Sequence, residues 1–440
     1  MSRDGSLRMA RGASLRRNAA WAVVGNIGYA ACQCAVLVVL AKLSSADDVG
    51  RFALALAVTA PVMIAASLQL RVIQATDAKR EYPFGAYLGV RLATTVIALA
   101  MILAVSMAAG YPQATLALIL LLGLAKAFEA VSDVVFGLLQ QHEDLRRVAI
   151  SMLVKGVLSV ASFAVTLWLG GGLLGATLAM AVSWGVWLAV FDLPAARRLA
   201  DVRPLFDRRV LVRLTWLALP MGIVAGLQSL MTNVPRYAIE AHGGPRALGY
   251  FAGIAYLILA GNQPVMALWA AVSPRLAHLF VSDRAAYRRL SHRTWLFAVA
   301  MGILVISGAA TVGAPLLAAL YTPDYAAHTD ALVWLAVVAA VGYFTSALCC
   351  SITAARRFPE QLVVTVLTLA VSWGATQLLV PRFGLVGAAW ALLAATVTQT
   401  ACFVVIYRRA SNERHTSAER REDGVERCAS AKPVAAEALS

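Results

Sequence analysis

The sequence predicts an all-α polytopic membrane protein with twelve transmembrane helices in two parallel six-helix repeats. Hydrophobic residues make up 60% of the 440 residues and charged residues only 14%, with a mean hydropathy of +0.73. A soluble domain is nearer half apolar and a quarter charged. The apolar stretches are also long enough for the roughly 20 residues that a membrane-spanning helix needs. A soluble protein is therefore excluded.

The apolar stretches divide the chain into twelve spans. We place them at 18–41, 50–70, 88–109, 113–140, 148–169, 172–193, 213–240, 248–273, 294–319, 330–354, 360–380 and 384–407. Lysines and arginines cluster in every second connection, the bias that sets the orientation of a membrane protein. Only Lys42, Arg51, Arg246 and Arg382 fall in connections predicted to be external. This bias explains the net charge of +15 without nucleic acid as a partner, and it predicts cytoplasmic termini.

The spans and their connections give five segments. They are a basic cytoplasmic segment (1–17), an N-terminal six-helix bundle (18–193), a cytoplasmic linker (194–212), a C-terminal six-helix bundle (213–410) and a disordered cytoplasmic tail (411–440). Pro194 and Pro204 interrupt the linker, which is the longest internal connection and the expected hinge between the halves. We expect the first span to be retained, because a cleaved signal peptide would not be followed by eleven further spans.

Two short motifs recur in the two halves. Gly50-Arg-Phe-Ala after the first span returns as Gly249-Tyr-Phe-Ala after the seventh. Gly172-Leu-Leu-Gly-Ala opens the sixth span and returns as Gly384-Leu-Val-Gly-Ala at the twelfth. Six spans is an even number, so both copies cross the membrane in the same orientation. The halves are therefore expected to be related by a pseudo-twofold axis along the membrane normal.

The seventh span carries an ionisable residue, Arg236, well inside it. Around it, the side chains of Gln228, Thr232 and Asn233 fall in one helical sector of about 140°. The first span has a matching polar face, which consists of Asn26, Tyr29 and Gln33. Lipid does not tolerate such faces, because a charge at the bilayer centre costs about 2.5–3.5 kcal/mol or more. We expect the two faces to meet across a central cavity.

The fourth and fifth spans carry further charges. Lys126, Glu129 and Asp133 lie within about 60° on one face of the fourth span, and Lys155 lies about two turns into the fifth. Lys126 and Glu129 are three residues apart and can pair. Lys155 sits near the predicted inner end of its helix, Lys126 near mid-depth and Arg236 in the outer third.

These residues and motifs resemble a known family. AKLSSADDVGRFALALAV after the first span, SLQLRVIQATD, the NVPRY that ends span seven and the GLxGA motifs are similar to bacterial polysaccharide and O-antigen flippases. That family belongs to the multidrug/oligosaccharidyl-lipid/polysaccharide (MOP) export superfamily, and the likeness covers about residues 15–410.

The resemblance implies a V-shaped pair of six-helix bundles around a cationic cavity in the bacterial inner membrane. It implies a non-enzymatic transporter that moves an undecaprenyl-diphosphate-linked oligosaccharide across the membrane by alternating access, without a cofactor. The cargo would be a precursor of O-antigen, capsule or exopolysaccharide, and a polysaccharide polymerase is a candidate partner. Arg236 occupies the basic position of the family in span seven, whereas Lys126 and Lys155 match only its general use of cavity cations.

On physical grounds, the three cations are candidates for binding the diphosphate, because buried positive charge compensates a phosphate for its lost hydration. Glu129 and Asp133 are candidates for binding a coupling ion. The six polar residues Asn26, Tyr29, Gln33, Gln228, Thr232 and Asn233 are candidates for binding sugars.

Structural roles compete with each assignment. Arg236 has Glu240 four residues on as a candidate ion-pair partner, Lys126 has Glu129, and Lys155 can extend its head group to the inner interface. The polar faces of spans one and seven can also hold helices together.

Two other functions remain open. A drug:cation antiporter of the same superfamily would favour a negative cavity, whereas the predicted spans contain three cations and two acids. A membrane-embedded polysaccharide polymerase or ligase would need a sizeable external loop with catalytic groups. The longest external segment, 321–329, is short and contains no nucleophile beside a base. The histidines are scattered, so no metal site is predicted.

Overall fold

The computed structural model describes residues 3–77, 79–354 and 358–430, and all regular structure within them is helical. The helices are α1 (Arg3–Leu43), α2 (Ala46–Ser67), α3 (Leu70–Thr76), α4 (Phe84–Ala108), α5 (Gln113–Gln141), α6 (Leu145–Trp168), α7 (Gly172–Trp187), α8 (Leu193–Arg197), α9 (Arg208–Ser282), α10 (Arg284–Leu320), α11 (Pro323–Ala326), α12 (Thr329–Ala354) and α13 (Phe358–Ser430). A π-helical turn, Leu188–Asp192, joins α7 to α8. The predicted all-α class is confirmed.

Ten helical stretches in the described residues are long and apolar enough to cross a membrane. Two of them, 208–262 and 360–409, contain 55 and 50 residues, more than twice the roughly 20 that a span needs. Each is interrupted by one glycine with a non-helical backbone, Gly244 in α9 and Gly384 in α13. Gly244 lies between the predicted spans seven and eight, and Gly384 is the predicted first residue of span twelve. If each stretch is counted as two spans the total is twelve, a number that stays a prediction.

The two copies of the second repeated motif share a backbone feature. Gly172 and Gly384 both have a positive φ, of 62° and 54°, a conformation that glycine adopts without a steric penalty. Each lies directly before the Leu-x-Gly-Ala sequence that begins the next helical segment. The recurring sequence therefore encodes the same local turn in both halves.

The segment between the halves packs against the N-terminal half. Leu205 donates its backbone N–H to the carbonyl of Gly85 in α4, at 2.8 Å. A side chain at Gly85 or Gly89 would collide with the carbonyl of Arg203 or Leu205, so the linker depends on these two glycines for its close approach. α9 then begins at Arg208, where the carboxylate of Asp207 caps the helix N-terminus.

The two halves meet mainly where α2 packs against α9. Near the loops that the charge bias predicts to be external, an added Cβ at Gly50 would lie 1.7 Å from the carbonyl oxygen of Pro245. An added Cβ at Gly249 would lie 1.9 Å from the carbonyl oxygen of Ala46. Residues 46 and 50 correspond to 245 and 249 under the offset of the first repeat, so the contact is reciprocal. We call this contact the glycine clasp and this end of the molecule the predicted outer end.

Aromatic side chains support the glycine clasp. Tyr321 and Tyr325 stack with their ring centroids 4.7 Å apart, and Tyr250 packs edge-on against Tyr325 at 4.9 Å. Tyr321 donates a hydrogen bond of 2.9 Å to the carbonyl of Gly253 in α9. Burial raises the pKa of the Tyr321 and Tyr325 phenols well above its ordinary value, so both remain protonated donors. These contacts pack the 321–325 segment against α9 and so support the C-terminal side of the glycine clasp.

Both terminal segments extend helices. Residues 3–17 of the predicted basic segment continue into the first span as part of α1. At the other terminus α13 continues to Ser430, whereas the sequence predicts disorder from residue 411. Residues 431–440 of the predicted tail lie outside the described residues. The proposed five-segment division itself stays a prediction.

Candidate functional site

Two polar cavities contain predicted site residues, and each is lined by one half of the chain. The N-half cavity, of about 80 Å³, includes Tyr29, Glu129, Asp133 and Lys155 in its lining. The C-half cavity, of about 320 Å³, includes Thr232 and Arg236 from α9 and further residues from α12 and α13. The sequence predicts instead that the polar faces of spans one and seven share one central cavity. Within the described residues, Tyr29 and Thr232 lie in different cavities.

Arg236 lies on α9 without an ion-pair partner among the described residues. Its Nη1 donates to Oδ1 of Asn233, one helical turn earlier, at 2.9 Å, and its Nε is buried without a hydrogen-bond partner. Its guanidinium lies 5.3 Å from the ring centroid of Tyr256. The candidate pair with Glu240 does not form. Arg236 therefore presents a partly buried positive charge that no described carboxylate compensates.

Lys126 forms the i,i+3 ion pair with Glu129 that the sequence allows, with Nζ 2.7 Å from Oε2. Tyr29 of α1 donates a second hydrogen bond to Glu129, at 2.5 Å. The ammonium also lies 5.4 Å from the ring centroid of Trp184 and within electrostatic range of Tyr256 in the other half. Because the Lys126 and Glu129 side chains are 23% and 27% exposed, this pair is within reach of an incoming ligand.

Asp133 forms ion pairs with two arginines that were not predicted as site residues. Arg91 of α4 donates from Nη2 at 3.0 Å, and Nη1 of Arg71 in α3 lies 3.6 Å away. Arg71 also donates to Gln140, which lies on the same face of α5. The side chain of Arg91 is 2% exposed. From the sequence, Arg71 and Arg91 belong to a basic inner connection, and only helix packing reveals that they reach the polar face of α5.

Lys155 pairs with an aspartate that the sequence analysis also missed. Its Nζ lies 3.2 Å from Oδ2 of Asp192 and donates to the hydroxyl of Ser132 at 2.5 Å. Ser132 and Ser151 donate to the same carboxylate at 2.7 and 2.5 Å. The two ionised side chains are 2% and 0% exposed, so the alternative in which Lys155 extends to the inner interface is wrong. A buried charge gains more from a carboxylate at this distance than from a longer path to water.

These partners change the charge count of the interior. Arg71 and Arg91 add two cations, and Asp192 adds one acid. With the predicted residues, the interior holds five cations (Arg71, Arg91, Lys126, Lys155 and Arg236) against three acids (Glu129, Asp133 and Asp192) within the described ranges. The predicted excess of positive charge therefore persists: these residues give a net charge of +1 in each half, from two arginines that share Asp133 in the N-terminal half and from Arg236 in the C-terminal half.

The predicted sugar-binding residues occupy different environments. Asn26 and Gln228 are exposed, Gln33 is partly buried one turn beyond Tyr29, and Asn26 donates to its own helix at Ala22. Thr232 lines the C-half cavity, whereas the buried Asn233 holds Arg236. Their binding roles stay predictions.

Comparison with known proteins places this geometry in a known fold. No protein-family profile matches the chain. Capsular polysaccharide biosynthesis protein CapF of Staphylococcus aureus is 25% identical over 397 residues, which are 89% of this chain and 98% of the relative.

Several solved transporters superpose on nearly the whole chain. An inward-facing multidrug resistance MATE family transporter of the MOP superfamily does so with a TM-score of 0.64 and 16% identity, over 90% of this chain and 96% of the other. This chain has the MOP-superfamily fold. The eukaryotic MATE transporter AtDTX14 gives a TM-score of 0.63 with 15% identity, over 92% of this chain and 99% of its own. The resemblance inferred from the sequence is thereby confirmed.

A third solved structure bears on polarity. It is a MOP superfamily transporter from Pyrococcus furiosus, whose binding pocket has reverse polarity, a feature that suggests a different function for that protein. It matches with a TM-score of 0.59 and 16% identity, over 90% of this chain and 94% of that one. The MOP fold is thus shared by proteins whose pockets differ in charge, so the fold alone does not determine the cargo.

Proposed function

We propose that this protein is a flippase that carries an undecaprenyl-diphosphate-linked oligosaccharide from the cytoplasmic to the outer leaflet of the bacterial inner membrane. The single observation that carries the proposal is Arg236, a partly buried guanidinium whose Nε is unpaired and which has no carboxylate partner among the described residues. A charge left uncompensated in a membrane protein is costly, and such residues mark substrate pathways. An anionic headgroup supplies the missing negative charge, and the capsular relative supports a polysaccharide cargo.

Lys126 is the second proposed contact for the diphosphate. Lys126, from the N-terminal half, is within electrostatic range of Tyr256, and the guanidinium of Arg236 lies 5.3 Å from the centroid of the same ring. A headgroup beside Tyr256 would therefore be attracted by cations from both halves. Lys155 joins this site only if it leaves Asp192, because its ammonium is already fully paired.

Alternating access is supported by how the halves meet. The glycine clasp closes the predicted outer end with close backbone contacts, and the ion pairs described near it, Arg51–Asp48 and Arg246–Asp324, each lie within one half. Contacts of this kind can separate without breaking a covalent or ionic link. We propose that cargo enters while the clasp is closed and leaves toward the outside once it has opened.

A role for Glu129 and Asp133 in coupling is part of the same proposal. Both have basic partners, Lys126 for Glu129 and two arginines for Asp133. They would bind a proton or cation only when an arriving diphosphate draws those partners away. A transport rate in proteoliposomes that does not change with pH or sodium would remove both residues from the mechanism.

The drug:cation antiporter remains the second candidate, because the solved multidrug transporters share this fold. An organic cation requires negative charge in its binding site, however, and the described interior has an excess of positive charge. A polymerase or ligase is disfavoured because the solved structures of this fold are transporters. We propose no catalytic residue.

The test is to replace Arg236 and follow surface polysaccharide. Arg236→Ala should abolish the polymer while the protein remains in the membrane, and Arg236→Lys should restore part of it, because a positive charge returns without the guanidinium geometry. Arg382→Ala is the matched control, since Arg382 is exposed in a predicted external connection. Normal polymer from the Arg236→Ala variant would refute the proposed role.

A further inference from the structure

The C-half cavity has the size of a ligand site. Its volume of about 320 Å³ lies at the small end of the roughly 300–1,000 Å³ found for small-molecule pockets. It is formed between α9, α12 and α13, well away in the sequence from the charged stripe of α5. Two of its lining residues, Thr232 and Arg236, are predicted site residues, and the others are not indicated by the sequence.

The cavity lining contains polar groups that lack partners. Among the described residues, no hydrogen bond is made by the amide nitrogen of Asn262, the hydroxyl of Ser346 or the amide of Gln399, all of which line the cavity. The Nε of Arg236 is likewise buried without a partner. Buried polar groups are nearly always paired with protein, water or ligand. The Nε of Arg236 is such an unpaired buried group, and the partly exposed side chains of Asn262, Ser346 and Gln399 add free hydrogen-bonding groups to the same lining, which favours an occupant rich in hydrogen-bonding groups.

The orientation of Asn262 is fixed in advance. Tyr343, which is 2% exposed, donates to Oδ1 of Asn262 at 2.7 Å. That bond leaves the amide N–H groups of Asn262 as the free donors. A preset donor of this kind favours an acceptor at a defined position, because little freedom is lost when the acceptor binds.

The chemistry of the cavity selects against other ligands. Its described lining contains no carboxylate, so it offers no countercharge to an organic cation, and one cation, Arg236, which by itself is insufficient for a polyanion. Neutral amides and hydroxyls, with the rings of Tyr343 and Phe251 nearby, match the hydroxyls and apolar faces of a sugar.

Two other cavities of the described residues fit a sugar less well. The N-half cavity of about 80 Å³ has room for two or three waters, at roughly 30 Å³ each, and its charges are paired. A larger cavity of about 530 Å³ between α2, α4 and α9 is lined almost entirely by apolar side chains, apart from Tyr111 and Tyr237. It lacks the polar groups that would replace the hydration of a sugar.

We propose that the C-half cavity binds the first one or two sugar rings of the cargo, with Asn262, Ser346 and Gln399 as hydrogen-bonding contacts. This inference rests on the proposed function and adds a division of labour to it. The diphosphate is held by cations of both halves, whereas the sugar is recognised by neutral groups of the C-terminal half alone. Selectivity among glycans would then reside in α9, α12 and α13.

The test compares two probes on the purified full chain in lipid nanodiscs. One probe is bare undecaprenyl diphosphate, and the other is the lipid-linked glycan extracted from the producing cells. Gln399→Leu is the deciding variant, because no described side chain depends on its amide. We expect it to weaken binding of the glycan-bearing lipid about tenfold, the effect of one lost hydrogen bond with a partner left unpaired, and to leave the bare lipid unchanged. Adding Asn262→Leu should deepen the selective loss.

Gln377→Leu is the matched control, since the same change is made at an exposed glutamine of the same helix, outside the cavity. It should bind both probes as the unmodified protein does. If Gln399→Leu binds the glycan-bearing lipid normally, or loses both probes equally, the sugar site is refuted and the flippase proposal stands. If the unmodified protein binds neither probe, the flippase proposal fails, and the sugar site fails with it.

Discussion

The ion pair between Lys155 and Asp192 allows a sharp test of whether a buried lysine here is structural or binds cargo. Lys155→Met removes the ammonium and leaves the Asp192 carboxylate, which is fully buried, with only the hydroxyls of Ser132 and Ser151. Removing one partner of a buried pair costs about 3–5 kcal/mol, because an uncompensated charge remains. We expect Lys155→Met to be destabilised by about that amount.

The double variant Lys155→Met/Asp192→Leu separates charge loss from packing. Replacing a whole buried pair by apolar residues of similar size is often neutral or even stabilising. The double variant should therefore recover most of the stability lost in the single variant. The difference between the double variant and the sum of the two single variants measures the coupling between the side chains.

The assay is thermal unfolding of the purified variants in one detergent, followed by loss of the monodisperse peak in size-exclusion chromatography, with surface polysaccharide measured in parallel. A single variant as stable as the unmodified protein would refute the buried-pair reasoning. A stable double variant that still exports polymer would show Lys155 to be structural and remove it from the proposed binding site. A stable double variant that exports none would support direct contact between Lys155 and the cargo.

Two further predictions follow from close contacts. Gly249→Leu should separate the halves at the glycine clasp, because the new Cβ would lie 1.9 Å from the backbone oxygen of Ala46. Faster deuterium exchange over residues 44–50 would show this separation. Gly374→Leu is the control and should leave the exchange unchanged, because an added Cβ at Gly374 meets no atom within 4 Å. Asp133→Asn should destabilise the protein by about 1–3 kcal/mol, because the buried Arg91 loses its carboxylate; the cost is below that of a fully buried pair, since the Asp133 side chain is 33% exposed. An unchanged unfolding temperature would contradict the ion pair.

The local chemistry of the polar helices follows directly from the sequence. Helical periodicity places Lys126, Glu129 and Asp133 on one face of α5, and the i,i+3 spacing predicts the Lys126–Glu129 pair that forms. The Gly50 and Gly249 motifs likewise indicate a repeat, and they occupy matching positions in the glycine clasp. Relations within one helix or between two copies of a motif are encoded at short range.

Long-range partners could not be predicted in this way. Asp192 lies 37 residues from Lys155, and Arg91 lies 42 residues from Asp133. The period of a helix tells which face is polar but not which other face it meets. Arg91 and Asp192 also lie near predicted span ends, where a charge is ordinarily solvated, so the sequence does not indicate that either side chain is buried.

The sequence by itself determined the helical class, the membrane pattern, the repeat and the excess of positive charge, because these depend on composition and periodicity. Only the tertiary structure decided that Lys155 is paired, that Arg236 has no ion-pair partner among the described residues, and that Tyr29 and Thr232 line different cavities. Packing of distant helices sets which buried charge finds a partner, and a charge left without one in a low-dielectric interior is the feature that indicates a ligand.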